Sequence, residues 1–123
     1  MNSNPGGRFR PVLLALSLAL ASCAGLSYTH TGLNWDIPAT ATLTSASISP
    51  RRDVTLAVAG TLDSGSVTVT VYADAVSQGT LEVPASGAVD AQKRFDYVPG
   101  LWRFEAVAAD GSSGSLYVEI EDR

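Results

Sequence analysis

The chain has 123 residues, of which 46% are hydrophobic and 16% are charged, and its formal net charge is −4. This length suits one domain, and the composition is too apolar for a disordered chain and too polar for a protein with several membrane spans. The acidic balance argues against binding a nucleic-acid backbone, which requires clustered Lys and Arg. The single cysteine, Cys23, excludes an internal disulfide and a zinc site built from cysteines.

The first 22 residues have the pattern of an export signal. Arg8 and Arg10 precede an apolar run over 12–21, which ends in small residues. A basic start, a short apolar core and a small-residue end are typical of a secretory signal peptide. A transmembrane helix is the alternative, but even when extended to Leu26 the stretch would reach only about 22 Å, short of the ~30 Å hydrocarbon core. We therefore predict a cleaved signal peptide over residues 1–22.

The segment ends in Leu20-Ala21-Ser22-Cys23, a Leu followed by two small residues and a Cys. This motif resembles the lipobox of bacterial lipoproteins. In that family a diacylglycerol is attached to the Cys sulfur, the chain is cut just before the Cys, and many members are also acylated at the new amino terminus. The resemblance implies that Cys23 is the lipidated first residue of the mature protein. Two or more acyl chains are sufficient for stable membrane anchoring.

Two further features bear on where the mature chain goes. The triplet that ends at Ala21 also fits the Ala-x-Ala pattern of ordinary signal peptidase, and that cut would release a soluble protein with Ser22 first and a free thiol at Cys23. In sorting rules familiar from enteric bacteria, Asp directly after the lipidated Cys retains a lipoprotein on the inner membrane. Ala24 occupies that position here. We therefore predict a location in the cell envelope, at the outer membrane if the organism has one.

Cleavage before Cys23 removes two of the eight basic side chains, so that six stand against twelve acidic ones, a net charge of −6. A body of this charge is repelled by anionic lipid headgroups. Residues 23–39 contain the lipidated Cys and show no clear periodicity of apolar residues. We predict that they form a tether ahead of a domain over 40–123. Trp35 is expected to pack under that domain. His30, the only histidine, is expected to be a solvated tether residue.

From residue 40 onward the pattern is that of successive strands. Apolar and polar residues alternate, as at Val67, Val69 and Val71, which is typical of half-buried strands. Gly, Pro, Asp and Ser between these runs indicate turns. No segment has a sustained 3.6-residue period, so no helix is predicted in the mature domain. The predicted strands are 41–48, 53–60, 66–73, 79–83, 89–97, 101–109 and 115–121. Their number and spacing predict an all-β fold with one antiparallel two-sheet sandwich.

The inward faces of these strands must supply the stability, because no disulfide reinforces the domain. On the strand over 101–109 we expect Trp102 and Phe104 to point inward, and Arg103 and Glu105 to point outward. Burial of the two charged side chains would cost several kcal/mol, so the register should be tightly fixed. The other predicted core residues are Leu116, Val118, Val67, Val69 and Val71.

The last third of the chain has the most recognisable pattern. Over 98–111 a Pro-Gly turn leads into a strand with aromatic residues and then into Asp110-Gly111, and 114–120 form a closing apolar strand. This pattern resembles the final hairpin of bacterial immunoglobulin-like domains. The resemblance implies an immunoglobulin-like β-sandwich of about seven strands. The Cys pair of antibody domains is absent from this sequence.

The sequence contains no recognisable set of catalytic residues. A Gly-x-Ser-x-Gly elbow, a P-loop and a Gly-x-Gly-x-x-Gly turn are absent, and acylation would consume the sulfur of Cys23. The turn carboxylates are Asp63, Asp74, Asp90, Asp96 and Asp110. They could gather as calcium ligands at one end of the sandwich, but no Asp-x-Asp-x-Asp spacing supports this, and we predict solvated turn residues. The basic pairs at 51–52 and 93–94 are predicted to be ordinary turn charges.

We therefore predict a non-enzymatic, lipid-anchored protein of the cell envelope, whose immunoglobulin-like sandwich serves binding or scaffolding without a cofactor or metal. The lipid on Cys23 would contact the membrane. The partner would be an unidentified protein or envelope component, for which strand addition at a sheet edge is one available mode. The sequence indicates no nucleic acid and no identifiable small-molecule substrate. The alternatives are a soluble secreted binding module and an enzyme with an unrecognised acidic site.

Overall fold

The computed structural model describes residues 29–123; the predicted signal peptide and Cys23 lie outside these residues. The strands are β1 His30–Ile37, β2 Thr42–Thr44, β3 Val54–Ser64, β4 Ser66–Ala73, β5 Val76–Pro84, β6 Gly87–Phe95, β7 Trp102–Ala108 and β8 Ser113–Glu121. The described part of the chain contains no helix. It accordingly contains no helical segment that could cross a membrane.

Two four-stranded antiparallel sheets pack face to face, which confirms the predicted all-β sandwich. The first sheet has the order β1-β8-β3-β6 and the second has the order β2-β7-β4-β5. Eight strands distributed in this way form the jelly-roll variety of sandwich. Consecutive strands from β5 to β8 alternate between the sheets, so β7 and β8 do not pair with each other. The immunoglobulin-like resemblance therefore extends to the sandwich architecture and not to a final hairpin.

The loop between β7 and β8 passes between the two sheets. It carries the chain from one sheet to the other and is held against the start of β4. The Ala109 amide donates to the Ser66 carbonyl. The buried Ser112 hydroxyl donates to the same carbonyl and accepts from the Ser66 amide, both at 3.0 Å. These bonds fix the loop at the point where the chain passes from the second sheet to the first, in which β8 pairs with β1 and β3.

The first strand is a correction to the predicted tether over residues 23–39. Strand β1 pairs with β8 along its whole length, from His30 opposite Glu121 to Ile37 opposite Gly114. The sandwich thus begins about ten residues earlier than predicted. Trp35 is only 1% exposed, so the expectation that it packs into the domain is confirmed, although it does so from within a strand.

The signal for β1 is present in the sequence. Leu33, Trp35 and Ile37 alternate with polar residues, which is the period of a half-buried strand. Gly32 interrupts the pattern and weakens it. In the fold the ring of Tyr117 covers Gly32, and a Cβ at residue 32 would lie 2.6 Å from Tyr117 Cζ. A neighbouring aromatic side chain therefore takes the space that a side chain at this position would fill.

The remaining strand predictions differ mainly at their ends. The strand over 66–73 is confirmed. The one predicted over 41–48 is interrupted after three residues, because the buried Ser45 hydroxyl accepts the Phe104 amide in place of continued strand pairing. An isolated antiparallel β-bridge between Ile48 and Trp102 then restores the pairing of this segment with β7.

One predicted turn is wrong. Gly79 lies inside β5, close to a register shift in its pairing with β4, and has φ +144°. The turn between β4 and β5 is instead formed by Asp74 and Ala75, which both have positive φ. Two consecutive residues with positive φ make the turn type that matches the twist of a tight hairpin. Neither Gly nor Pro marks this turn, which is why the sequence pattern missed it.

One hydrophobic core lies between the sheets, and the predicted register of β7 is confirmed. Trp102 and Phe104 are fully buried. Arg103 and Glu105 lie on the outer face, where they form an ion pair and the Arg103 guanidinium lies 4.5 Å from the centroid of the Tyr72 ring. The other predicted core residues, Leu116, Val118, Val67, Val69 and Val71, are buried as well.

Both ends of the described chain lie at the same end of the sandwich, which we call the terminal end. The register places His30, Glu121, Thr55 and Arg94 side by side across the first sheet. The terminal end also contains the loop before β3, the turn between β4 and β5, and the loop over 96–101 between β6 and β7. The other end, with the connections at 38–41, 65, 85–86 and 109–112, is called the opposite end.

Candidate functional site at the terminal end

The terminal end carries most of the exposed apolar side chains. Six large hydrophobic side chains are exposed among residues 29–123, and four of them belong to this end. These four are Val76, Tyr97, Val98 and Leu101. The loop over 96–101 supplies three of them within five residues. An exposed group of this kind is a common feature of surfaces that contact a partner.

A cleft of about 450 Å³ opens beside this loop. Its lining residues are Gln78, Lys93, Arg94, Phe95, Asp96 and Val98. The Phe95 ring packs edge-on against Trp102 at a centroid distance of 6.4 Å, and the Lys93 ammonium lies 5.7 Å from the Phe95 centroid. Lys93 Nζ also donates to the Thr80 carbonyl at 2.8 Å. The cleft thus combines an aromatic wall that is fixed by the core with cationic, amide and carboxylate groups.

Three side chains hold the loop over 96–101 in place. Asp53 accepts a hydrogen bond from the Tyr97 amide at 2.8 Å, and Asp74 accepts one from the Leu101 amide at 2.8 Å. Trp102 Nε1 donates to the Val98 carbonyl at 2.8 Å. Carboxylates that accept backbone N–H groups form stronger bonds than neutral acceptors. The exposed side chains of the loop are therefore presented on a preorganised backbone.

Gly100 is required for this arrangement. Its φ is +142°, and a Cβ there would lie 2.7 Å from Cγ of Asp74. Any side chain at residue 100 would push the Asp74 carboxylate away from the Leu101 amide. The Asp74 amide also donates to the Leu101 carbonyl at 2.9 Å, so the loop and the β4–β5 turn are bonded twice.

A buried carboxylate joins three segments at the terminal end. Asp122 is 1% exposed, and it accepts hydrogen bonds from the Thr29 amide at 2.6 Å and the Arg51 amide at 2.9 Å. Its own amide donates to the Thr29 carbonyl. The start of the described chain, the loop before β3 and the carboxyl terminus are thereby tied together. The sequence offers no signal for this role, because an Asp one residue from the end has the appearance of a solvated tail.

The cations are concentrated at this end. All six Lys and Arg side chains of the described residues lie in the terminal half: Arg51, Arg52, Lys93, Arg94, Arg103 and Arg123. The two basic pairs that were predicted as separate turn charges are therefore brought to the same end. Lys93 and Arg94 are in strand β6 and not in a turn, and both line the cleft.

The carboxylates are divided differently between the two halves. Six lie in the terminal half: Asp53, Asp74, Asp96, Glu119, Glu121 and Asp122. Five lie in the opposite half: Asp36, Asp63, Glu82, Asp90 and Asp110. Glu105 lies midway along β7, where it pairs with Arg103. The terminal half is thus balanced in charge, whereas the opposite half carries five carboxylates and neither a Lys nor an Arg.

The other sequence-predicted site residues are dispersed. The turn carboxylates do not converge, because Asp63 and Asp110 lie at the opposite end and Asp74 and Asp96 at the terminal end. Between Thr29 and Arg123 there is no group of three or more His, Cys, Asp or Glu side chains arranged to hold a metal ion. His30 lies in strand β1 opposite Glu121 and not in a tether.

Comparison with known proteins yields structural similarity only. No protein-family model matches the chain, and no curated protein matches it. A solved structure of the carbohydrate-binding module CBM36 in complex with calcium and xylotriose is 12% identical, with a TM-score of 0.47 over 78% of this chain and 98% of that one. The CBM36-1 domain of a multidomain xylanase from the hindgut metagenome of Trinervitermes trinervoides is 12% identical, with a TM-score of 0.44 over 76% and 96% of the two chains.

A third similar structure is that of Bacillus endospore appendages, described as a novel family of disulfide-linked pili. It is 16% identical, with a TM-score of 0.43 over 85% of this chain and 97% of that one. At such identities and scores, none of these similarities says what this chain binds. The chain's own residues define it as a small jelly-roll sandwich with one preorganised end that is rich in cations and exposed apolar side chains.

Proposed function

We propose that this protein is a non-enzymatic binding or scaffolding module that a lipid on Cys23 holds at the cell envelope. The observation that carries this proposal is the motif Leu20-Ala21-Ser22-Cys23, which resembles a lipobox and ends six positions ahead of Thr29, where the described sandwich begins. A lipid at that position would hold the folded domain directly at a membrane surface.

The chemistry of the terminal end supports a binding role. The side chains around the cleft can form ion pairs, hydrogen bonds and aromatic contacts, which are the interactions of recognition. The six lining residues include one carboxylate, Asp96, and no hydroxyl, thiol or imidazole.

The anchoring is tested by mass spectrometry of the mature amino-terminal peptide from cells that express the full chain. We expect a peptide that begins at Cys23 and carries the mass of a diacylglycerol, with or without a further acyl chain. The Cys23→Ser variant is the matched control and should lose this mass and leave the membrane fraction. An unmodified peptide that begins at Ser22 would instead establish the soluble secreted form.

The location is tested separately by fractionating the membranes of the native organism. Because Ala24 follows Cys23, we expect the protein to be recovered with outer-membrane markers in a cell that has an outer membrane. Recovery with inner-membrane markers would overturn this part of the proposal and leave the lipid anchor unaffected.

A further inference from the structure

We propose that the terminal end is a membrane-docking surface that lies directly against the headgroups of an anionic phospholipid bilayer. This inference rests on the proposed lipidation of Cys23 and specifies how the anchored domain is oriented. The membrane contact would then consist of the lipid together with the cations and apolar side chains of the terminal end.

The length of chain between the anchor and the sandwich restricts the orientation. Five residues, 24–28, separate Cys23 from Thr29, and even fully extended the six steps from Cys23 to Thr29 reach about 20 Å. The nine residues of β8 make the sandwich about 30 Å long. If the opposite end faced the bilayer, Thr29 would be carried farther from the membrane than its tether extends. The terminal end is therefore the end that can contact the surface.

The charge distribution favours the same orientation. Arg51, Arg52, Lys93 and Arg94 are exposed at the terminal end, where they can interact with anionic headgroups. The screening length at physiological ionic strength is about 8 Å, so carboxylates that lie ~30 Å away at the opposite end are largely screened from the membrane. The bilayer would therefore interact mainly with the charges of the terminal end and not with the overall net charge of −6.

The carboxylates of the terminal end are mostly engaged with the protein itself. Asp53, Asp74 and Asp122 accept backbone amides, and Glu121 is paired with Arg123 at 3.1 Å. Asp53 is also paired with Arg94 at 3.4 Å, so two of these carboxylates are offset by a neighbouring cation. The terminal half therefore presents balanced charges to the bilayer, including the exposed side chains of Arg51 and Arg52, whereas the opposite half presents five carboxylates without a Lys or Arg.

The exposed apolar side chains complete the match to a bilayer interface. Tyr97 is 41% exposed and Leu101 is 55% exposed, with Val98 between them in the chain. Tyrosine is favoured at the headgroup level because its ring is apolar and its hydroxyl is polar. Basic side chains beside apolar ones are the combination that binds membrane surfaces. Because Asp53 and Asp74 already hold this loop, docking does not require it to become ordered.

The orientation is tested with a polarity-sensitive fluorophore on an introduced cysteine in the lipidated protein that cells produce from the full chain. Val98→Cys places the probe at the terminal end, and Asp110→Cys is the matched exposed control at the opposite end. The lipid occupies the sulfur of Cys23, so each variant has one free thiol. The proteins are reconstituted into vesicles of phosphatidylcholine alone or of phosphatidylcholine mixed equally with phosphatidylglycerol, with and without a lipid-borne quencher.

We expect a blue-shifted emission and quenching at residue 98, a stronger effect in the anionic vesicles, and neither effect at residue 110. The Arg51→Glu plus Arg52→Glu variant should lower the residue-98 signal severalfold, and the signal should fall with added salt. Equal signals at both sites, or none at residue 98, would overturn the inference. Mass analysis of the Cys23 peptide from the same preparation separates the two claims, because an unmodified peptide contradicts the proposed function itself.

Discussion

The two ends of the sandwich are closed by different means. At the opposite end the connections are short, and small residues close them, as where Ser112 bonds both backbone groups of Ser66 beside Gly65. At the terminal end the connections are longer, and the carboxylates of Asp53 and Asp74 hold them through backbone amides. The terminal end can therefore present large exposed side chains on a fixed backbone.

This contrast shows how one small fold can hold exposed loops in place at one end while short connections close the other. At the opposite end Gly65 leaves no room for a side chain beside Ser112, and the charged side chains of that half are all carboxylates. At the terminal end, buried groups such as Asp122 and Trp102 hold the loops in place. The exposed surface of these loops therefore carries cations and apolar side chains. Predictions that distinguish the ends are best made on the mature chain with Cys23 replaced by Ser.

The largest expected effect is at the base of the terminal end. Trp102→Ala should lower the free energy of unfolding by about 3–5 kcal/mol, since it removes a fully buried ring, the edge contact with Phe95 and the hydrogen bond to Val98. Arg103→Ala, on the outer face of the same strand, should cost less than about 1 kcal/mol. Urea unfolding measures both. A small loss for Trp102→Ala together with a large one for Arg103→Ala would contradict the assignment of the two faces.

The next effect concerns the buried carboxylate of the terminal end. Asp122→Ala should destabilise the domain by about 2–4 kcal/mol, because the amides of Thr29 and Arg51 lose their acceptor. Asp110→Ala is the matched control at the opposite end, where an exposed turn residue should matter by no more than about 0.5 kcal/mol. Thermal unfolding compares the two variants. Similar shifts in the two unfolding midpoints would contradict the claim that Asp122 stabilises the terminal end.

Two glycines at the opposite end allow the cost of backbone strain to be distinguished from the cost of steric crowding. Gly65 and Gly111 have φ of +79° and +83°, but a Cβ at residue 65 would lie 2.6 Å from the Ser112 Cα, whereas nothing lies within 4 Å at residue 111. Gly111→Ala should cost about 1 kcal/mol for the left-handed backbone alone. Gly65→Ala should cost at least about 1 kcal/mol more. Equal losses in denaturant unfolding would mean that the opposite end is not closed by close packing.

The smallest effect on stability is expected from the exposed cations. Arg51→Ala plus Arg52→Ala should change the free energy of unfolding by no more than about 0.5 kcal/mol, because the Arg51 contact with Asp122 uses the backbone amide and not the side chain. The variant should unfold at nearly the same urea concentration as the parent. If this variant lost as much unfolding free energy as Asp122→Ala, the arginine side chains would be structural, which would contradict the role that we assign to the Asp122 carboxylate.

The fold was predictable where period-two alternation is uninterrupted. Strand β4 and the inward placement of Trp102 and Phe104 followed from alternation and from the cost of burying Arg103 and Glu105. Strand β1 was missed although it alternates, because Gly32 weakens its pattern and only the ring of Tyr117, distant in sequence, compensates for it. The pairing of β8 with β1 and β3 depends on contacts between remote segments, which local periodicity does not encode.

The site was less predictable than the fold. The two basic pairs were visible in the sequence, but only the strand topology brings residues 51–52 and 93–94 to one end. The turn carboxylates appeared equivalent in the sequence, yet Asp74 holds a loop whereas Asp110 is an exposed turn residue. The role of Asp122 arises from its meeting with Thr29 and Arg51 in space. Each of these features is a property of tertiary contacts between distant segments.

Hydrogen–deuterium exchange of the lipidated protein that cells produce from the full chain tests the central claim most directly, because one measurement reports on both ends without a substitution. Exchange is compared between protein in detergent micelles and protein in vesicles that contain phosphatidylglycerol. We predict slower exchange on vesicles for the loop over 96–101 and for residues 51–53, with no change over 109–112. Slower exchange over 109–112, or an unchanged rate over 96–101, would contradict the account.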